Sequence, residues 1–492
     1  MDGFGIAYYK ILLHQYLRYT TLPKRGTLKN NVLPFKMFFL FLYQTYLSYL
    51  LLVELIMRIL AYILTVLSLL VGGAHYLRAG NYGLMVTALL LPLLFFIRKR
   101  WVLYIIGGSL VLLAVECVAT ALNIYEIRQR FDMPATRMLV IMGSVALFTL
   151  ISAATLFSKK MLRRYPRQRS DIPVTVSFFL AAVLVAFPMV KVDLQVLLAQ
   201  RFFPGFEWLQ VAGLSFYSAF ITEKMLDRSK QPKWRKYIWT IFSVVFFGQL
   251  ILGLSGFETF LMTGELHLPI PSIIMAGPLY RWESSFMIFL FLGSIVLVGP
   301  AWCSHLCYFG VWDFHAAKAR KRPKKLPKYR QIYRLGILVL IGGVAVGMNM
   351  LGVPPISATI AGLIVGLAGV GVLMYWSKKT GVMTHCTVYC PIGLWTVILG
   401  KINPFRIKID SRCDECMKCT MNCRYDALRK EDVLNRKPNL NCTLCGDCIE
   451  ACDVKGSAIN YRLFKMKPET ARKVFIVMVV AIHTSFLAMG RI

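Results

Sequence analysis

Charge is scarce in this chain. Of its 492 residues only 16% are Asp, Glu, Lys or Arg, against about 25% in soluble globular domains, while 57% are hydrophobic. Acidic residues are scarcer still: 24 Asp and Glu face 57 Lys and Arg, a formal net charge of +33. The apolar excess argues against a soluble fold and against intrinsic disorder. A nucleic-acid binder would gather its cations on one folded surface. Here they stand between apolar runs of membrane-spanning length, so no nucleic-acid partner is expected. Histidine is rare too. His14, His75, His267, His305, His315, His385 and His483 offer no obvious facing pair inside apolar runs, which argues against b-type haem held by this chain alone. No cleavable signal is visible, because Lys10, Arg18, Lys24, Arg25, Lys29 and Lys36 interrupt the first segment; an inside N-terminus is the expectation.

What is present is a series of apolar runs long enough to meet a bilayer. They lie near Leu55–Leu77, Tyr82–Ile97, Val102–Ile124, Met138–Phe157, Val174–Val190, Phe206–Ile221, Ile238–Leu254, Phe286–Val298, Leu335–Met350 and Ile360–Trp376. The run Phe38–Val53, bracketed by Lys36, Glu54 and Arg58, reads as interfacial, and Val474–Met489 as a further span or a returning anchor. With ten spans and the N-terminus inside, 48 of the 57 cations fall on the inner face, as the positive-inside rule requires. The basic loop Lys318–Arg330 then lies against anionic lipid on that face. The expected fold is an all-α polytopic membrane protein of about 10–12 transmembrane helices with a small α+β cysteine-rich domain inside. The expected parts are a basic segment 1–36, a membrane section 37–235 without recognisable chemistry, a membrane section 236–400, a cysteine-rich domain 401–467, and a C-terminal helix or anchor 468–492.

Eight of the 13 cysteines fall into two copies of C-x2-C-x2-C-x3-C. This is the bacterial two-cluster ferredoxin spacing, in which three close thiolates hold one [4Fe–4S] cube and the fourth crosses to the other. It assigns Cys413, Cys416, Cys419 and Cys452 to one cluster and Cys442, Cys445, Cys448 and Cys423 to the second. Zinc is disfavoured, since structural zinc normally takes its four ligands as two pairs. The Pro that usually follows the fourth Cys is replaced by Arg424 and Asp453. By charge alone Arg424 should favour reduction nearby and Asp453 should oppose it.

A second repeat lies earlier. Cys303-Ser-His-Leu-Cys307-Tyr-Phe-Gly310-Val-Trp312 and Cys386-Thr-Val-Tyr-Cys390-Pro391-Ile-Gly393-Leu-Trp395 share C-x3-C-x2-G-x-W, each just after a span that exits on the inner face. In a helix the i, i+4 spacing sets both thiols on one face. Three readings stand side by side: a third Fe–S cluster or comparable metal site on Cys303, Cys307, Cys386 and Cys390, a dithiol relay, or buried small residues with tryptophan anchors. His305 and His385 stand as ligands, donors to ligands or interfacial histidines.

These paired motifs followed by the double ferredoxin spacing resemble the NosR/NapH/CcoG group of membrane polyferredoxins, which includes the YccM type. The resemblance covers about Ser285–Tyr461. It implies a multi-span protein of a prokaryotic cytoplasmic membrane that carries electrons between the quinone pool and redox partner proteins such as cytochrome or oxidoreductase subunits, as an electron-transfer subunit or quinol dehydrogenase component. Its CcoG branch implies metal-centre assembly instead, and a redox sensor or transporter is a third class. The chain departs from the group at Tyr308, where Pro is usual, and Pro355-Ile-Ser357-Ala358-Thr359 lacks the Gly of a covalent-flavin site. A quinol site needs an apolar slot with a proton acceptor. The apolar outer segment Gly264–Glu283 supplies candidates: Glu265 and His267 as acceptors, Tyr280 or Arg281 for a quinone oxygen. An interfacial loop with aromatic anchors is the plainer reading of the same segment.

Overall fold

The computed structural model describes residues 32–192, 195–260, 270–282 and 286–489. Glu265, His267 and most of the basic segment 1–36 lie outside them. The chain divides into two compact units, residues 1–64 and 65–492.

In the first unit the Phe38–Val53 run is helical; helix α1 (Val32–Arg78) runs through it without a break. Arg58 pairs with Glu54 one turn earlier at 2.8 Å, which lets both charges sit in an apolar helix.

The second unit is mostly helical. Its long elements are α2 (Arg100–Arg130), α3 (Thr136–Leu156), α4 (Asp171–Lys191), α5 (Glu207–Leu226), α6 (Gln231–Leu254), α7 (Ile273–Arg281), α8 (Phe286–Val298), α9 (Gly310–Ala317), α10 (Arg330–Met350), α11 (Pro355–Val372), α12 (Pro391–Leu399) and α13 (Pro468–Met489). Among the described residues eight helices are long and apolar enough to cross a membrane, or nine if a pair bent by 46° between Phe291–His305 and Gly310–Ala317 is one span. The count expected from the sequence was higher, for two local reasons. The Tyr82–Ile97 run is helical only to Leu90 and continues to Phe96 as a tighter turn with Pro92 near its start; the two pieces reach about 26 Å, short of a bilayer core of about 30 Å. Helix α5 has the length, but it carries Glu207, Glu223 and Lys224 among its 20 residues and is not one of the eight.

Helix α13 has the opposite history. An anchor returning to the surface would show one wet face, yet 78% of its apolar window is buried, against 11% for α10. It packs against α4 and α5. Polar contacts tie these helices where lipid offers no hydrophobic force between them: Ser177 Oγ lies 2.8 Å from Ser218 Oγ and 2.7 Å from Thr222 Oγ1, and Tyr217 Oη lies 3.0 Å from His483 Nε2.

Between α12 and α13 the cysteine-rich segment carries two strands, β1 (Phe405–Ile409) and β2 (Ile459–Leu463), antiparallel with Phe405 opposite Leu463 and Ile409 opposite Ile459. Every second side chain is buried, the period-2 pattern of a ribbon with one covered face. The cover is α13: Tyr461 stacks on Phe475 at 4.6 Å and Phe405 meets the same ring at 5.3 Å. The strands therefore fix the segment to the membrane helices from its two ends.

Candidate metal centres

The two C-x2-C-x2-C runs fold alike. Glu415 and Met417 have φ of +59°, and the matching positions Leu444 and Gly446 have +54° and +82°. Left-handed residues at alternate positions coil each run into a loop whose backbone N–H groups turn inward, a shape suited to an anionic centre. The fourth cysteine of each run receives a backbone donor: Ala427 N–H reaches Cys423 Sγ and Ala458 N–H reaches Cys452 Sγ, both at 3.3 Å. Charge on Cys413, Cys416 and Cys423 acts on the Cys419 thiol, and burial pushes that thiol up to about 11. Charge on Cys445, Cys442 and Cys423 acts on Cys448. Cys423 thus stands beside the second run. Cys416 is exposed, whereas Cys448 is buried.

The departure at Arg424 has a structural use. Its guanidinium donates to the carbonyls of Gly381 (2.9 Å) and Arg320 (2.8 Å), and its own carbonyl accepts from Met383 N–H (2.8 Å). It faces the loops between membrane helices, and clamps the segment to them. Asp453 is exposed and forms an ion pair with Lys418, so its charge is answered locally.

The two C-x3-C pairs come together. Charge on Cys307, Cys390 and Cys303 acts on the Cys386 thiol, which burial raises well above the ordinary range, and Cys303, Cys307 and Cys390 are buried in one core. Neither pair is a regular α-helix throughout. Trp302–His305 is a single helical turn that ends before Cys307, while His385–Tyr389 is a wider π-type turn ending at an extended Cys390. The thiols converge because the chain turns around them, and not through i, i+4 spacing alone.

The repeat's glycines explain themselves here. A Cβ on Gly310 would meet the Trp239 ring at 2.7 Å and Cys303 O at 3.0 Å; on Gly393 it would meet Arg334 Nη2 at 1.8 Å and Cys386 O at 2.8 Å. In each half a large side chain from a neighbouring helix fills the space and caps the motif. Trp239 on α6 donates to Cys307 O at 2.6 Å. Arg334 on α10 donates to Cys386 O at 2.8 Å and Cys390 O at 3.3 Å. Pro391 opens α12, where its missing N–H costs nothing. Tyr308, in the equivalent place, stacks on Phe246 at 4.1 Å. The halves are locked to each other by Asp313, whose carboxylate accepts from Cys386 N–H at 2.9 Å. Asp313, His385 and Cys386 also bring three ligand atoms within 4.8 Å of one another.

Arg235 joins this site to the cysteine-rich segment. Fully buried, it donates to Ser304 O (3.0 Å) and to Asp447 (2.7 Å) and lies over the rings of Trp239 and Phe314. Arg235, Trp239, Arg334 and Asp313 did not stand out in the sequence. Arg235 and Trp239 had the composition of an interfacial belt, and only the tertiary fold points them at the cysteine loops.

Residues 282–327 match a 4Fe-4S binding domain, Fer4_5. The matched stretch contains Cys303 and Cys307 and supports an iron–sulfur protein with at least one [4Fe–4S] cluster. No curated protein and no solved structure matches the chain.

Of the quinol candidates, Tyr280 is buried and its hydroxyl donates to Val353 O at 2.8 Å, while Arg281 is the last residue of α7 and half-buried. At the start of that segment Ile270, Pro271 and Ser272 share a cavity of roughly one water's size with Phe309, His385, Tyr389 and Cys390. The segment called outer thus reaches the C-x3-C site.

Proposed function

We propose that this chain is a membrane electron-transfer protein that passes electrons between the quinone pool, or a membrane redox partner, and two [4Fe–4S] clusters on the inner face of a prokaryotic cytoplasmic membrane. The observation that carries the reading is the convergence of four thiols from two C-x3-C pairs beside the loops of the C-terminal cysteines: Cys303, Cys307 and Cys390 share one core with Cys419 and Cys448, and Cys386 packs on a second with Cys423, Cys442 and Cys445.

The donor sets fit. All twelve groups are thiols, two of them already accept backbone N–H donors, and the loops carry the left-handed residues that aim amides inward. Cys413, Cys416, Cys419 and Cys452 would hold one cluster and Cys442, Cys445, Cys448 and Cys423 the other. Cys303, Cys307, Cys386 and Cys390 would hold a third centre, with the Arg334 guanidinium beside them to offset thiolate charge. When bound, such clusters supply one-electron steps at potentials set by charge, hydrogen bonds and exposure. The chain itself holds the thiolates, excludes water from the membrane-edge set and keeps the two regions in register. The approach of Ile270–Ser272 to His385 and Cys390 supports the quinol side of the reading, since a quinol bound along that segment would need no long detour.

The test is anaerobic addition of a short-chain quinol to purified protein of proven iron and sulfide content. Appearance of reduced-cluster EPR signals is expected. Intact clusters that stay oxidised under quinol, yet accept electrons from dithionite, would sink the quinol assignment.

A further inference from the structure

The interval between the two cysteine regions is filled by one side chain in particular. Tyr425 stands two residues beyond Cys423 and is buried in a small core with Trp239, Phe314, Met383 and Ala427. Cys386 packs on that core, and so do Cys423, Cys442 and Cys445. Its hydroxyl lies 3.4 Å from the carbonyl oxygen of Cys303. From Cys423 to Cys303 there is therefore a path of two peptide units, one phenol and one long hydrogen bond. The Cys413 run lies apart from this core: Cys416 is exposed and Lys418 pairs with Asp453 at the surface. No polar duty to solvent explains a buried tyrosine at this place; among the described residues its hydroxyl donates to the backbone of the first C-x3-C motif.

Resting on the three-centre reading above, we propose that Tyr425 is the contact through which electrons pass between the Cys303/Cys307/Cys386/Cys390 site and the Cys423/Cys442/Cys445/Cys448 site. The order of centres follows from it: membrane edge, then the Cys423 set, then the exposed Cys413 set, which faces the soluble partner. One electron leaves the centre on one side and one enters the centre on the other. No bond forms or breaks at Tyr425, and its hydroxyl keeps its proton. Tunnelling falls off more steeply across gaps than along bonds, so loss of the ring opens a gap in the path, and loss of the hydroxyl alone breaks only its last link.

The experiment uses the full-length holoprotein in detergent, with iron and sulfide content measured first. Electrons are delivered by a dithionite pulse, which meets the protein first at exposed Cys416, and freeze-quench EPR follows the signal of the membrane-edge centre. Tyr425→Leu should slow arrival there at least tenfold and Tyr425→Phe a few-fold, while equilibrium midpoint potentials of the Cys413 set stay as in the parent. A purely structural role would shift cluster content or potentials and leave the rate per intact centre unchanged; that result overturns the inference alone. If Tyr425→Leu loses clusters, Tyr425→Phe decides, and a parental rate in it overturns the proposal. Iron and sulfide sufficient for two clusters only would remove the membrane-edge centre and overturn both this inference and the three-centre reading, whatever quinol does.

Discussion

Arg235→Met tests how the cysteine-rich segment is held to the membrane helices. The substitution keeps a long apolar stem over Trp239 and Phe314 but ends two charge-assisted hydrogen bonds, to Asp447 and to Ser304 O. Each such bond contributes about 1.5–3 kcal/mol. Asp447 then keeps its charge without its hydrogen-bonded cation, with Lys318 and Arg424 acting on it only from a distance, and its Oδ1 already lacks a partner. Breaking one side of a buried pair costs about 3–5 kcal/mol, a factor of roughly 10²–10⁴ in the equilibrium between closed and open forms. Hydrogen exchange at the β1 and β2 amides in detergent reads that opening directly, and their protection should fall by the same factor. Arg235→Met/Asp447→Leu should recover most of it, because two apolar groups leave no orphaned charge. Loss of the guanidinium also removes a cation from beside Cys445, so the potential of the Cys442–Cys448 centre should fall in the single variant. Protection within tenfold of the parent in Arg235→Met, or a double variant no better than the single one, would refute the account of this clamp.

Four further outcomes follow from neighbouring geometry. Gly393→Ala should disrupt the membrane-edge site, since its Cβ would lie 2.8 Å from the backbone oxygen of Cys386 and displace the Arg334 guanidinium, while the C-terminal clusters keep their EPR signals; loss of all signals together would contradict the separate placement of the sites. Arg424→Pro, which restores the usual ferredoxin residue, should retain both C-terminal clusters but raise proteolytic cleavage in the Lys318–Arg330 loop, because the carbonyls of Gly381 and Arg320 lose their donor. In cluster-free protein, burial pushes Cys442 up to about 12 and Cys419 up to about 11. At pH 8 the Cys442 thiolate is then roughly 10⁻⁴ of the total. Iodoacetamide should therefore label exposed Cys416 first by mass spectrometry, with Cys419 and Cys442 following only as pH rises. Because a raised thiol must lose its proton to bind iron, cluster loading should release protons and become more favourable with increasing pH; uptake independent of pH between 7 and 9 would count against these burials.

Much of this was written in local sequence, and the rest is written only between distant parts of it. Apolar runs announced most of the helices, and the cysteine spacings announced two like loops and two like turns. The run Tyr82–Ile97 misled because Pro92 and a tight turn cut its length, which hydropathy does not register. Helix α13 reads as a further span or a returning anchor, and its polar residues hold the cue that decides for the span: Arg472, His483, Thr484 and Ser485 are buried, and polar residues in an apolar helix signal a protein-facing interior. The site's supports were out of reach altogether. Arg235 meets Asp447 across 212 residues of chain and Tyr425 meets Cys303 across 122, and nothing in the spacing of either partner names the other. At Arg424 the charge was legible and it does act beside Cys423, but the donation of its guanidinium to the loop carbonyls of Gly381 and Arg320 was not.

The central place of α13 has a consequence for how the molecule is made. Translation proceeds from the N-terminus, so the helix that α4, α5 and β2 pack against leaves the ribosome after all of them. Between Lys191 and Pro468 the ribosome adds 277 residues, roughly 15–55 s of synthesis. Through that time α4 and α5 share an unfilled seam in the bilayer, and afterwards β1 and β2 wait for Phe475. A stop codon just before Pro468 would spare every cysteine and still leave a bundle without its keystone. Such a truncated chain should be cleared by membrane proteases before it displays a single cluster.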